Sequence, residues 1–117
     1  MPDSGSDAGI INMQELMDIM DQDMDLVRDC FNDFLSEWPA LFLEIKEAGQ
    51  AGNADHLDQA AHKLKGMLTY LSAEKAALAA LAVESAGRAR DLEGLDGKLS
   101  LLEQKCQDVV CYIKNHL

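Results

Sequence analysis

The chain has 117 residues, enough for one domain with a real core and too few for two. Aromatic residues make up 5% and prolines number two, while Ala, Leu, Met, Asp, Glu and Lys dominate, a balance that favours helix over sheet. A formal net charge of -11 excludes a general phosphate-backbone binder and a ligand of anionic membranes, because no surplus of Lys and Arg is left to displace counterions.

No run of about 18 apolar residues is present, and the start, MPDSGSDAGI, has neither a basic segment nor an apolar one of the kind a secretory leader needs. A cytoplasmic location is the expectation. Residues 1–9 lack apolar content and read as a flexible tail, leaving 10–117 as a single domain. Cys30, Cys106 and Cys111 are odd in number, unpatterned and embedded in apolar stretches, so they read as reduced core thiols and not as a disulfide or metal site.

Asn12 is placed as an N-cap with Glu15 at the capping-box position, and Ile11 and Leu16 are placed as a hydrophobic staple. A helix of about two turns follows. Either Asp21 or Asp23 can cap the next one, whose apolar residues Leu26, Val27, Cys30, Phe31, Phe34 and Leu35 recur at helical spacing and continue through Leu41, Phe42, Ile45 and Ala48. Pro39 either kinks one long helix or splits it. A single kinked helix ending near Gly49 is the expectation, followed by a loop over 49–53.

Asn53 then caps a helix over 54–71, with Asp55 in the first turn where the helix dipole favours an anion. Ser72 and Ala73 mark its end. A helix over 74–91 follows, carrying Leu78, Leu81, Ala82, Ser85 and Ala89, and 94–97 breaks the pattern at two glycines. The last helix, 97–115, buries Leu99, Leu102, Cys106, Val109, Val110 and Ile113. There is no internal repeat. Four substantial helices with short connections imply an all-α fold: an up-down-up-down four-helix bundle with a short additional N-terminal helix.

At roughly 100° per residue, Leu57, Ala60, Ala61, Leu64, Met67, Leu68 and Leu71 fall on the side of the third main helix opposite His62. Asp55, Asp58, Gln59, Lys65, Gly66 and Thr69 fall within roughly 60° of it. His62 is thus predicted at the centre of a solvent-facing stripe. A glycine in an exposed helix interior costs roughly 0.8–1 kcal/mol relative to alanine, so Gly66 calls for a compensating role, and clearing space beside the imidazole for another protein is one. Lys65, one turn on, can set its ammonium beside a phosphoryl group carrying roughly -1.5 to -2 charges.

The stretch His62-Lys63-Leu64-Lys65-Gly66, preceded by Ala60-Ala61, resembles the H-x-x-K-G motif of histidine-containing phosphotransfer (HPt) domains. The stretch from Phe34 to Ala48 with its internal proline, the Gly52-Asn53 turn and the helix order extend the resemblance over roughly residues 12–115. It implies that His62 is phosphorylated, with Lys65 and Gly66 in the roles above. It also implies that Glu84, at the height of His62 on the next helix, accepts from one ring nitrogen, and that Arg88 helps hold a phosphate or a partner. Two positions depart from the family's pattern: Ser72 stands where many members have glycine, and Thr69 replaces a smaller residue.

The implied function is a histidine phosphotransfer protein that relays a phosphoryl group between aspartates of response-regulator receiver domains through phospho-His62 in a two-component phosphorelay. It is a carrier and not an enzyme with its own turnover, a monomer without cofactor or metal, its partners being receiver domains, which bring Mg²⁺, and a sensor or hybrid histidine kinase. Asp58, Gln59, Lys63, Gly66 and Thr69 would form the docking stripe. The alternative is a non-phosphorylated adaptor or inhibitor of similar fold that binds a histidine kinase or receiver domain. A di-iron bundle would need paired Glu-x-x-His motifs, and an acyl carrier a serine in an Asp-Ser-Leu context; neither is present.

Overall fold

A computed structural model describes residues 9–116. The expected flexible tail lies outside the described residues except for Gly9, which sits in a turn. The described residues form five helices and no strand. None of those helices is long and apolar enough to cross a membrane.

Helix α1, Met13–Ile19, begins where Asn12 Oδ1 accepts from the Glu15 amide at 3.0 Å. Ile11 and Leu16, the staple pair, are both buried. Of the two candidate caps for the next helix Asp23 serves, accepting from the amides of Asp25 at 3.0 Å and Leu26 at 3.2 Å. Asp21 instead adopts a left-handed conformation in the turn between the helices.

Helix α2, Met24–Ala51, runs unbroken through Pro39. Its inner face carries Val27, Phe31, Phe34, Trp38, Leu41, Phe42, Ile45 and Ala48, and Phe34 stacks on Trp38 with ring centroids 6.1 Å apart. Each of the Val, Leu, Ile and Phe side chains among them, removed fully from water, contributes about 1.5–3 kcal/mol. Leu26, expected on this face, is exposed, and Cys30 and Leu35 lie at its half-buried margin. The helix also outlasts its expected end at Gly49. A Cβ at Gly49 would fall 2.7 Å from Leu95 Cδ2, so this glycine serves close helix packing, and the chain turns at Gly52, whose φ of 70° suits glycine.

Helix α3, Ala54–Tyr70, is capped by Asn53, whose side chain accepts from the His56 amide at 3.1 Å. Leu57, Ala60, Ala61, Leu64, Leu68 and Leu71 are buried as the periodicity predicts, with Met67 at the edge of the core. The chain reverses through Ser72, at φ 58°, whose carbonyl accepts from the Asn12 amide at 3.0 Å.

Helix α4, Glu74–Ala89, ends two residues before the expected 91 and does not turn its leucines inward. Leu78 and Leu81 are exposed, as are Ser85 and Ala89, with Ala82 half-buried; the inner face is Ala76, Ala79, Ala80, Val83, Glu84, Ala86 and Gly87. Close packing against α3 is the cause. A Cβ at Gly87 would lie 2.7 Å from the Asp58 amide nitrogen and 2.8 Å from the Ala54 carbonyl oxygen, so leucines have no room on this side.

The chain turns at Arg90 and Gly94, both at positive φ, and α5, Leu95–His116, starts two residues before the expected 97. It buries Leu95, Leu99, Leu102, Cys106, Val109, Tyr112 and Ile113, with Val110 half-buried. All three cysteines are free. Burial, with Glu103 adding to it, pushes the Cys106 thiol up to about 12. Cys111 is exposed and so is not the core thiol expected, because its position faces away from the α5 seam. In the assembled fold α3 packs on α2 and α4, α5 packs on α4 and α2, and α1 rests on α2.

Candidate functional site

His62 stands at the middle of α3 with its side chain 64% exposed, whereas the Glu84 side chain, reaching it from α4, is only 2% exposed. His62 Nδ1 lies 2.9 Å from Glu84 Oε2. Glu84 and Ser72 are the two buried polar residues among those described, so the carboxylate's partners decide its charge.

There are three such partners. Arg88 Nη2 donates to Glu84 Oε2 at 2.7 Å, and His62 shares that oxygen. Lys65 Nζ is 2.9 Å from Oε1, an ion-pair distance, although Oε1 has no hydrogen bond of good alignment. Burial alone would raise the Glu84 pKa. The contacts from Lys65 and His62 outweigh it and hold the carboxyl below its usual range.

An ionised carboxylate can only accept. The proton therefore belongs on His62 Nδ1, which donates to Glu84, and the lone pair of the neutral ring is left on Nε2. Such a ring, fixed on one side by a buried carboxylate and open on the other, is a positioned nitrogen nucleophile.

The helices supply this geometry through local features. Glu84 and Arg88 are an i,i+4 pair on α4, and the glycine at 87 lets α3 come close enough for the side chains to meet across the gap. Arg88 also reaches back to Asp58 Oδ1 at 3.4 Å. Arg90, just past the end of α4, pairs with Asp55 at 2.7 Å and adds a further tie to α3, and His56 pairs with Glu44 at 2.8 Å, joining α3 to α2.

Of the predicted site residues, His62, Lys65 and Arg88 converge on one carboxylate, that of Glu84. Gln59, Lys63, Gly66 and Thr69 are exposed on α3, with Asp58 half-buried. Nothing lies within 4 Å of a Cβ built at Gly66, so that glycine meets no internal packing demand. Lys65 differs in detail from expectation: its ammonium engages Glu84. Sequence reasoning placed Glu84 at the right height but missed its burial, whose signal is the small residues Ala80 and Gly87 flanking it one turn either way. It also missed the Arg90–Asp55 and His56–Glu44 bridges. No group of three or more His, Cys, Asp or Glu side chains among the described residues is arranged to hold a metal ion.

A family model of the Hpt domain matches residues 29–110, and the chain belongs to this family of histidine phosphotransfer proteins of two-component signalling. Such proteins are phosphoryl carriers and not enzymes, and they interact with histidine kinases and response regulators. The crystal structure of histidine-containing phosphotransfer protein B (HptB) from Pseudomonas aeruginosa PAO1 is similar to this chain with a TM-score of 0.86, covering 93% of this chain and 95% of that one at 20% identity. That likeness is one of fold. No curated protein matches the sequence.

Proposed function

We propose that His62 accepts the phosphoryl group from the aspartyl phosphate of one receiver domain and hands it to the aspartate of another, so that the chain is the middle carrier of a phosphorelay. The observation that carries this reading is the His62–Glu84 hydrogen bond of 2.9 Å between an exposed imidazole and a buried, ionised carboxylate. It directs the Nε2 lone pair outward.

In the forward step Nε2 attacks phosphorus in line. The bond from phosphorus to the aspartyl oxygen breaks, and the carboxylate leaves with that pair of electrons. No proton moves: Nδ1 keeps its hydrogen, the ring takes on positive charge, and Glu84 offsets it. In the second step another aspartate attacks phosphorus and the pair of the P–N bond returns to Nε2. The receiver brings the Mg²⁺ and the acyl phosphate, so the carrier contributes position and charge.

Asp58, Gln59, Lys63, Gly66 and Thr69 form the docking stripe in this reading, with Gly66 as the clearing, and Lys65 and Arg88 support His62 through the Glu84 carboxylate they both hold. The four long helices α2–α5 serve as an up-down-up-down bundle with α1 in front, residues 10–117 forming one domain. The carrier works as a monomer in the cytoplasm, needs no cofactor of its own, and forms modest, transient interfaces with receivers and a sensor or hybrid kinase.

The test is phosphotransfer from a labelled receiver. Wild type should gain an acid-labile, base-stable label that His62→Gln cannot acquire. A receiver panel that binds the chain without ever labelling His62 would establish the adaptor or inhibitor reading instead.

A further inference from the structure

Arg88 has a choice of anions. Its Nη2 contacts Glu84 Oε2 at 2.7 Å and Asp58 Oδ1 at 3.4 Å, and the guanidinium is two-thirds exposed, with solvent beside it and no packing that encloses it. Glu84 Oε2 also holds His62 Nδ1, so the guanidinium rests on the Nδ1 side of the ring. A phosphoryl group enters on Nε2, the far side. Asp58 is one turn before His62 on the same helix and is the second anion fastening Arg88 where it is.

We infer that Asp58 is a positioning residue: it parks Arg88 beside Glu84 and keeps it from gripping the phosphoryl group, so that phospho-His62 gives its group up readily. The inference rests on the relay reading above. A guanidinium matches phosphate geometry with two parallel hydrogen bonds and prefers a doubly charged anion to a single carboxylate. Without Asp58, one of the two anions opposing that shift is gone. The phosphorylated state then gains a contact it otherwise lacks, and the balance between phospho-aspartate and phosphohistidine moves toward His62.

The measurement is the partition of label between one receiver and this chain after rapid mixing, read before hydrolysis matters. Five proteins are compared: wild type, Asp58→Asn, Asp58→Glu, Arg88→Ala and the double variant of Asp58→Asn with Arg88→Ala. Asp58→Asn should move the partition toward phospho-His62 by roughly three- to tenfold, the size of one partly exposed charged contact. In the Arg88→Ala background the same change should have little further effect, because the coupled partner is missing. Asp58→Glu should restore the wild-type partition.

An unchanged partition in Asp58→Asn overturns the inference. So does an equal shift with and without Arg88, which would mean direct repulsion between Asp58 and the phosphoryl group. A folded Asp58→Asn protein that takes no label overturns it too, since Asp58 would then be required for acceptance. If wild type itself takes no label, the relay reading fails, an outcome distinct from these three.

Discussion

Gly87 on α4 and Asp58 on α3 are in backbone contact: a methyl group on Gly87 would sit 2.7 Å from the Asp58 amide nitrogen. The obstacle is main chain, which cannot rotate aside as a side chain can. Gly87→Ala should therefore destabilise the fold by about 1–3 kcal/mol through overpacking. Because α3 and α4 carry His62 and Glu84, the same substitution should also loosen that pair and slow phosphotransfer. Urea unfolding and transfer kinetics on one preparation measure both effects, and unaltered stability would refute so tight an approach.

Gly66 presents the opposite case. Open space surrounds the position where its Cβ would stand, so Gly66→Ala should stabilise the helix by roughly 0.5–1 kcal/mol. Gly66→Gln should leave the melting temperature close to wild type yet slow transfer from a receiver, since the new side chain would fill the clearing beside His62. Equal transfer rates would remove any docking role for that clearing.

For Glu84 the expectation concerns acid. Its folded pKa lies below the ordinary value of 4.5, so the ionised carboxylate contributes stability that is complete above pH 4.5 and is lost as pH falls through the lower folded value. Glu84→Gln removes this contribution. At neutral pH the variant should be less stable by about 1–3 kcal/mol, and the gap to wild type should narrow as the pH drops below 4.5. A gap of constant size from neutral to acid pH would show that Glu84 is not ionised in the folded protein.

Ser72 carries strain that glycine would relieve. It is buried at φ 58°, and its hydroxyl has no hydrogen-bond partner. Left-handed backbone costs a residue with a Cβ about 1–2 kcal/mol. Ser72→Gly should raise stability by about 1 kcal/mol, the gain being trimmed by the greater freedom of glycine in the unfolded chain. A thermal melt checks the sign, and a lowered midpoint would mean the serine makes an interaction worth more than its strain.

Legibility from sequence varied with how local the cause was. The caps at Asn12 and Asn53 are contacts between residues three apart, so spacing alone finds them. The inner face of α3 was equally plain, since the leucines at 57, 64 and 68 all occur on one side. On α4 leucines and alanines share a helical period, and which set turns inward depends on how near α3 comes, a tertiary fact no single helix encodes. Gly49 misled for a related reason, a breaker by type that in place makes room for Leu95. The site followed the same rule: His62, Lys65 and Gly66 could be placed from one helix, and Glu84 by counting back from the turn. The burial that makes Glu84 a strong acceptor depends on the packing of two helices.

The distance along the chain between His62 and Glu84 has a kinetic consequence. The bond joins residues 22 apart across a single reversal at Ser72, so closing that segment costs little chain entropy compared with joining distant elements. Contacts of such short range form early and quickly. The α3–α4 hairpin is therefore a natural place for folding to begin, and the imidazole would meet its carboxylate before α5 has docked.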